Sequence, residues 1–353
     1  MRIEAVVGRV RQCIQPMQGY VPGKQPGDDD SYIKLNTNEN PYPPSSHVLA
    51  ALRDAINDNL RLYPDPLSFR LREAAARLYG CRVDEVIAGN GSDDILTILF
   101  RTFLDAGDTI ATPAPSYALY NVLSALQDAS CVEVPMGPDH TLPEDLDAHG
   151  AKVIFIVNPN APTGVLFNRD VLYNLLTDTQ SIVVLDEAYA DFAGETAINL
   201  IDTFANLIVV RTFSKSYALC GMRLGLGFAH RDVIAQMMKV KDAYNLDRLA
   251  MVAGCAALQD QDWLRETTAK IVRTRTHMLQ TLTEMGLHVP ASRTNFVFPR
   301  IPNGRGLEVF EELEKRHILV RYFNGPMTAD SIRVTVGTDD EVAIFLKTLR
   351  QLM

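Results

Sequence analysis

The sequence predicts an α/β protein, a mostly parallel sheet flanked by helices, joined to a smaller α+β domain. Three observations lead there. Short, near-continuous apolar runs rich in β-branched residues recur between residues 86 and 229, which suits strands buried on both faces. Helical patterning fills many of the gaps between them, the alternation expected of strand–helix–strand units. After about residue 231 long helices precede a few shorter strands, a change of texture that marks a second unit.

Residues 15–45 are rich in Pro, Gly, Asn and Asp and read as an extended arm rather than a packed element. Helical patterns follow at 46–57 and at 67–79, where Gly80 supplies a C-terminal cap. The strand-like runs are 86–88, 109–111, 132–134, 153–157, 182–185, 207–210 and 224–229, with helices expected at 93–103, 116–126 and 168–178. Beyond them come helices at 232–244 and 262–285, strands at 295–298, 318–320 and 331–336, and a closing helix at 339–352. The expected division is an N-terminal arm (1–40) that joins the smaller unit, a large α/β domain (41–240) and a small C-terminal α+β domain (241–353). A length of 353 residues agrees with this, at roughly 150 residues per domain.

Composition narrows the function. A hydrophobic share of 47% with 22% charged residues is an ordinary globular balance, and it excludes disorder and a disulfide scaffold. Thirty-four basic against 43 acidic residues leave a net charge of −9, so nucleic acid is not an expected partner. Five widely spaced cysteines without a CxxC suit a reducing, cytoplasmic setting. Seven histidines form no HxxxH or HExxH, so no metal site is expected. The N-terminus breaks its apolar run with charges and lacks a signal-peptide core, and no apolar run approaches the ~18 residues of a membrane span. Only nine of the basic residues are lysines, so a lysine in apolar surroundings asks for an explanation.

Three strand-end features point to chemistry. The run 182–185 leads into Asp186-Glu187-Ala188-Tyr189; an acid at the end of a buried strand needs a partner, which a helix cap, a structural ion pair or a ligand could supply. The run 207–210 leads into Ser214-Lys215-Ser216 and then Arg223. A strand-end lysine beside a strand-end carboxylate suggests a carbonyl cofactor and its counter-group. Third, Gly89-Asn90-Gly91-Ser92-Asp93 connects a strand to a helix, an arrangement whose amides can hold an anion. Together these describe pyridoxal phosphate, an electron-sink cofactor that needs a Schiff-base lysine, an acid for its pyridine nitrogen and a phosphate cup.

With these motifs in place, the chain resembles the fold-type I pyridoxal-phosphate-dependent aminotransferases, and within them the histidinol-phosphate aminotransferases. The resemblance runs from about Ile14 to the C-terminus. Its motifs are Asn38-Glu39-Asn40-Pro41, Tyr63-Pro64-Asp65-Pro66, Gly91-Ser92-Asp93, Pro115-Ser116-Tyr117, Pro162-Thr163-Gly164, Asp186-Glu187-Ala188-Tyr189, Ser214-Lys215-Ser216 and the strand 331–337. It implies that Lys215 carries the cofactor and shuttles the substrate proton, that Asp186 keeps the pyridine nitrogen protonated, and that Tyr189 hydrogen-bonds the phenolic oxygen. Tyr117 would stack on the ring, with a plain core aromatic as the alternative. Gly91, Ser92, Asp93, Ser214 and Arg223 would surround the phosphate, and Tyr63 would reach the neighbouring active site of a homodimer. One departure stands out: the family often places a second asparagine before Pro-Thr-Gly, where this chain has Ala161, so either Asn160 takes over or Tyr189 holds the ring oxygen largely alone.

The resemblance also implies the substrates. Arg333, inside an apolar strand, would bind the carboxylate of the amino-acid donor, as a bidentate pair. Arg321 and Tyr20 resemble the positions that bind the distal phosphate of histidinol phosphate. The expected reaction is amino transfer between L-histidinol phosphate and 2-oxoglutarate, giving imidazole-acetol phosphate and L-glutamate by a ping-pong route. Aromatic-amino-acid aminotransferases and phospho-threonine decarboxylases share this pattern, and a cofactor-binding regulatory module is the reading from a different class. Such a module normally adds a basic DNA-binding domain, which is not expected before residue 15 or after 340. No GxGxxG follows the first strand, against a nicotinamide dehydrogenase.

Overall fold

The computed structural model describes residues 6–26 and 31–353; residues 1–5 and 27–30 of the expected arm lie outside the described residues. A short strand, β1 (Ile33–Lys34), leaves the arm, and helices α1 (Ser46–Ala55) and α2 (Phe69–Tyr79) follow. Ser45 caps α1 through its hydroxyl, which accepts from the His47 and Val48 amides. Gly80, at φ 73°, ends α2 in the left-handed region as its position in the sequence implies.

All seven strand-like runs between 86 and 229 lie in one sheet: β2 (Val86–Asn90), β3 (Thr109–Ala114), β4 (Ser130–Pro135), β5 (Val153–Val157), β6 (Ile182–Asp186), β7 (Leu207–Thr212) and β8 (Leu224–Ala229). Their spatial order is β2-β8-β7-β6-β5-β3-β4. Neighbours from β4 to β7 are parallel, and β8 runs antiparallel to both β7 and β2. Strands β5, β7 and β8 are buried along their whole length, which explains their unbroken apolar sequence. Successive residues feed opposite faces: Phe155, Val184 and Ile208 join one core cluster, while Ile154, Val183 and Val209 join the other.

Helices α3 (Ser92–Phe103), α4 (Leu119–Leu126), α5 (Arg169–Asp178), the single turn α6 (Ala190–Ala193) and α7 (Arg231–Val240) connect these strands or follow them. Helix α4 starts three residues later than its pattern suggests, because Ser116 and Tyr117 turn the chain away from β3 before the helix begins. The sequence pattern also missed a helix, α8 (Arg248–Gln259), which packs on α1 and α2. Its small residues hide the apolar period: a side chain at Gly254 would meet Leu71 Cδ1 at 2.7 Å, so close approach replaces bulk there.

The long helix α9 (Gln261–Glu284) carries the core onward, its Ile271, Met278 and Leu282 joining the cluster that includes Phe155. Around it lie β9 (Phe296–Val297), α10 (Gly306–Lys315), β10 (Ile318–Leu319), β11 (Arg321–Tyr322), β12 (Ile332–Thr335) and α11 (Asp339–Leu352). The strand expected at 318–320 ends at Leu319. Residues 318–319 pair with β1, and the chain then crosses at Val320 so that β11 pairs with β12. That crossing sets Arg321 directly opposite Arg333. Among the described residues no helix is long and apolar enough to cross a membrane.

Strand β8 closes on the β2–α3 turn without room for a methyl group. A Cβ at Gly225 would stand 2.5 Å from Gly91 C and Ser92 N, both backbone atoms. Gly225→Ala is expected to destabilise the protein by about 1–3 kcal/mol, read as a lower urea midpoint at unchanged slope; Gly221→Ala, where nothing lies within 4 Å, serves as the control.

Candidate active site

The carboxyl ends of β6 and β7 bring two of the sequence-derived residues together. Asp186 is the last residue of β6 and is buried; Lys215 lies three residues beyond the end of β7, its neighbour. Two neutral donors serve the Asp186 carboxylate, the Ala188 amide at 3.1 Å and the Tyr120 hydroxyl at 3.2 Å. No cation among the described residues forms an ion pair with it. Burial pushes its carboxyl up to about 6, against these two bonds and with the Asp93 charge adding to the rise. The next residue shows the contrast. Glu187, equally buried, receives Arg211 Nη1 at 3.0 Å, the Thr196 hydroxyl at 2.6 Å and the Ala197 amide at 2.6 Å. Glu187 is a finished structural ion pair, whereas Asp186 lacks a positive partner.

Lys215 Nζ donates to the Thr37 carbonyl at 3.1 Å, so the arm reaches the lysine. Asn40 clasps the same loop, its Nδ2 donating to the Lys215 and Ser216 carbonyls. The Tyr189 hydroxyl accepts from Asn38 Nδ2 at 2.9 Å, and its ring packs edge-on to Phe296.

At the carboxyl end of β2, on the same sheet edge, an anion cradle forms. Gly91, at φ 84°, turns the chain into α3, whose first amides belong to Ser92 and Asp93. Arg223 covers this turn, donating to Ser214 Oγ at 3.3 Å and pairing with Asp93 at 3.2 Å. A Cβ at Gly91 would meet Arg223 Nη2 at 2.5 Å, so only glycine admits the guanidinium. The Tyr117 hydroxyl donates to Asp93 at 3.2 Å, which fixes its ring beside the cradle. Burial raises the Tyr117 hydroxyl far above the ordinary phenol range, so it stays protonated.

Two guanidiniums face the same space. Arg333 and Arg321 are cross-strand partners, and neither pairs with a carboxylate among the described residues. Phe323 lies between them, at 5.2 Å from one and 5.4 Å from the other. Arg333 Nη2 donates to the Asn36 carbonyl at 3.2 Å, while its buried Nε has no acceptor. Arg321 donates to the carbonyls of Val21 and Pro22 and thereby holds the arm, which lays Tyr20 edge-on to Tyr117 at 5.8 Å. Like charges opposed across a strand pair are costly, and this pair is poised for anions.

Two of the named residues stand elsewhere. Asn160 turns into the protein: its Oδ1 accepts from Thr163 Oγ1 at 2.7 Å and its Nδ2 donates to the Pro115 carbonyl, because the carboxamide closes its own turn. Tyr63 is 79% exposed, stacked on Tyr244, and none of its hydrogen bonds or ring contacts reaches the other named residues. Sequence reasoning assigned no role to Asn36, Thr37, Asn38, Asn40 or Tyr120. The Asn38–Pro41 motif was the available signal for Asn38 and Asn40; no local pattern marked Asn36, Thr37 or Tyr120.

The family model described as aminotransferase class I and II matches residues 30–349. The chain belongs to this family. It is 44% identical over 343 residues to the histidinol-phosphate aminotransferase of Geotalea uraniireducens, covering 97% of this chain and 99% of that protein. It is 40% identical to histidinol-phosphate aminotransferase 1 of Trichormus variabilis, covering 97% and 98%. Among solved structures, the histidinol-phosphate aminotransferase of Sinorhizobium meliloti in complex with pyridoxal-5'-phosphate has a TM-score of 0.84 at 27% identity, covering 91% of each chain.

The raised Asp186 carboxyl has a consequence for stability. Without a cationic ligand the folded chain keeps this proton up to about pH 6, whereas an unfolded Asp loses it near ~3.9. Stability is therefore lost as pH rises through that window. In cofactor-free protein Asp186→Asn is expected to be the more stable form at about pH 8, by up to about 3 kcal/mol, with the gap halved near pH 5. Urea midpoints across that range test this, and a gap independent of pH refutes it.

Proposed function

We infer that this chain is a pyridoxal 5'-phosphate-dependent aminotransferase that transfers an amino group between L-histidinol phosphate and 2-oxoglutarate, giving imidazole-acetol phosphate and L-glutamate in histidine biosynthesis. The observation that carries the cofactor is Asp186, a buried carboxylate with two neutral donors and no cation among the described residues. A protonated pyridine nitrogen brings the missing charge. The cradle fits the other end of the same molecule, with amides, a hydroxyl and Arg223 converging where a Cβ at Gly91 would intrude.

When bound, the cofactor supplies an electron sink for the carbanion formed at the substrate Cα. The catalytic residues we assign are Lys215, Asp186 and Tyr189. Asp186 holds the proton on the pyridine nitrogen. Lys215 Nζ would hold the cofactor and, when free, would be the base that moves the substrate Cα proton. Tyr189 donates to the phenolic oxygen, and Tyr117 lies against the ring face. The amides of Gly91, Ser92 and Asp93, with Ser214 and Arg223, take the phosphate. Asn160 is not among these residues, since its carboxamide is spent in its own turn.

For the substrates we assign Arg333 to the carboxylate of the amino-acid donor and Arg321, with Tyr20, to the distal phosphate of histidinol phosphate. Because the two guanidiniums are cross-strand partners, one site can serve both half-reactions, whose amine forms, histidinol phosphate and glutamate, differ in where their anions lie. The large domain near 41–240 then supplies the cofactor site, and the arm with the smaller domain supplies the substrate anion groups. We assign the protein to the cytoplasm on the strength of its five free cysteines.

We further propose a homodimer. Leu60, Leu62, Tyr63, Leu67 and Phe69 are exposed on one stretch of chain, with Tyr244 beside them, more apolar surface than a monomer keeps without reason. A partner covering this face would receive Tyr63 at its phosphate cradle.

Three outcomes are expected. Lys215→Ala abolishes glutamate formation and the lysine-dependent visible absorption of the holoenzyme. Arg321→Ala loses histidinol phosphate as donor by about one to two orders of magnitude, from one charged fork worth ~1.5–3 kcal/mol, while an aromatic donor is retained; equal loss of both donors refutes the assignment. Leu62→Asp combined with Phe69→Asp yields a monomer by sedimentation that binds cofactor more weakly than the parent, and a dimer that persists overturns the interface.

A further inference from the structure

Tyr189 is held by a residue to which no role has yet been given. Its hydroxyl oxygen accepts Asn38 Nδ2 at 2.9 Å, and among the described residues that hydroxyl donates to no acceptor. The amide cannot be turned round without loss. Thr335 Oγ1 donates to Asn38 Oδ1 at 3.1 Å and accepts from the Asn38 backbone amide at 2.9 Å, which leaves Nδ2 as the face toward Tyr189. Asn295 Nδ2 fixes the Asn38 carbonyl at 2.9 Å, and Asn38 itself is buried. One lone pair of the tyrosine oxygen is therefore occupied, and a phenol that accepts a hydrogen bond is polarised to donate more strongly.

Two neighbouring facts make this bond matter. Ala161 has no polar side chain, and the Asn160 carboxamide is committed to Thr163 and Pro115. Meanwhile Asn36, Thr37 and Asn38 engage three different groups in succession: the Asn36 carbonyl takes Arg333, the Thr37 carbonyl takes Lys215 and the Asn38 carboxamide takes Tyr189.

We propose that Asn38 is a positioning residue: its carboxamide fixes the Tyr189 hydroxyl so that the tyrosine proton points at the phenolic oxygen of the bound cofactor, a task that Ala161 leaves to this chain's arm. The proposal rests on the cofactor reading above. A simpler account would be that asparagine is present for its backbone, since position 38 has φ 56°, a left-handed conformation that asparagine tolerates. Asn38→Gly separates the two, because glycine keeps that backbone and removes the carboxamide.

The test is a double-mutant cycle on the purified holoenzyme, read as the midpoint of the pH-dependent change in the bound cofactor's visible absorption. A hydrogen bond to the phenolic oxygen stabilises its ionised form, so loss of that bond raises the midpoint. Tyr189→Phe is expected to raise it by about one unit, and Asn38→Gly by about half of that with thermal midpoint and cofactor content little changed. In the double variant Asn38→Gly should add nothing to Tyr189→Phe. An unchanged midpoint in Asn38→Gly, or a shift that adds in full, overturns the proposal while leaving the cofactor reading intact. Should the glycine variant not fold, Asn38→Asp goes through the same cycle: it keeps the acceptor for Thr335 and replaces the donor to Tyr189. Its field on the cofactor persists without the tyrosine hydroxyl, so a larger shift with Tyr189 present than absent supports the proposal, and equal shifts overturn it. A parent protein without a cofactor band overturns the reading beneath.

Discussion

Asp186 carries a carboxylate into a buried strand end where two neutral donors meet it and no cation of the described residues does. Burying a charge this way is costly, and the cost surfaces as a carboxyl raised to about 6. The rest of the site follows from that placement. Strand β6 must be buried at its carboxyl end to desolvate the acid, and β7 must lie beside it to set Lys215 at the same sheet edge. Tyr120 must come from α4 to cap the second oxygen. Glu187 marks the difference between structure and function at adjacent positions. It has Arg211 and two further hydrogen bonds, from the Thr196 hydroxyl and the Ala197 amide, so it anchors the loop rather than waiting for a ligand.

Anions are handled by the opposite device, cations gathered locally: Arg223 pairs with Asp93, while Arg321 and Arg333 pair with no acid among the described residues. A chain of net charge −9 has no general attraction for phosphate or carboxylate, so the attraction must be local. Arg223 covers the β2–α3 turn in a left-handed backbone at φ 48°, and Arg321 opposes Arg333 across two short strands. Phe323 and Phe296 lie against these guanidiniums, which confines the repulsion to a wall where a bound anion relieves it.

The arm joins these two systems. Segment 36–38 lies between the β6–β7 edge and the β11–β12 pair, and its groups touch Arg333, Lys215 and Tyr189 in order. Residues 21–22 sit on Arg321. Displacement at Arg333 is thus connected to the lysine and the tyrosine through three consecutive residues of the arm.

The seven central strands and most helices were legible in the sequence, because buried parallel strands are uniformly apolar; Asp186 and Lys215 were legible as charged groups at or just past strand ends, which ask for a partner, whereas Arg223 and Arg333 were given their expected roles by the resemblance. Helix α8 was not legible, since close packing at Gly254 removes the bulky residues that make an apolar period visible. Nor was the role of segment 36–38: its contacts to Arg333, Lys215 and Tyr189 span between 151 and 297 positions of sequence, and no local pattern encodes a partner that distant. The same holds for Asn160, whose carboxamide was free to face either way until the turn closed on Thr163. The sequence by itself therefore determined which strands form and which charged groups end them, through burial and periodicity. Only the tertiary structure decided which of those charges are compensated, because compensation depends on neighbours that folding, and not chain order, brings within hydrogen-bond reach.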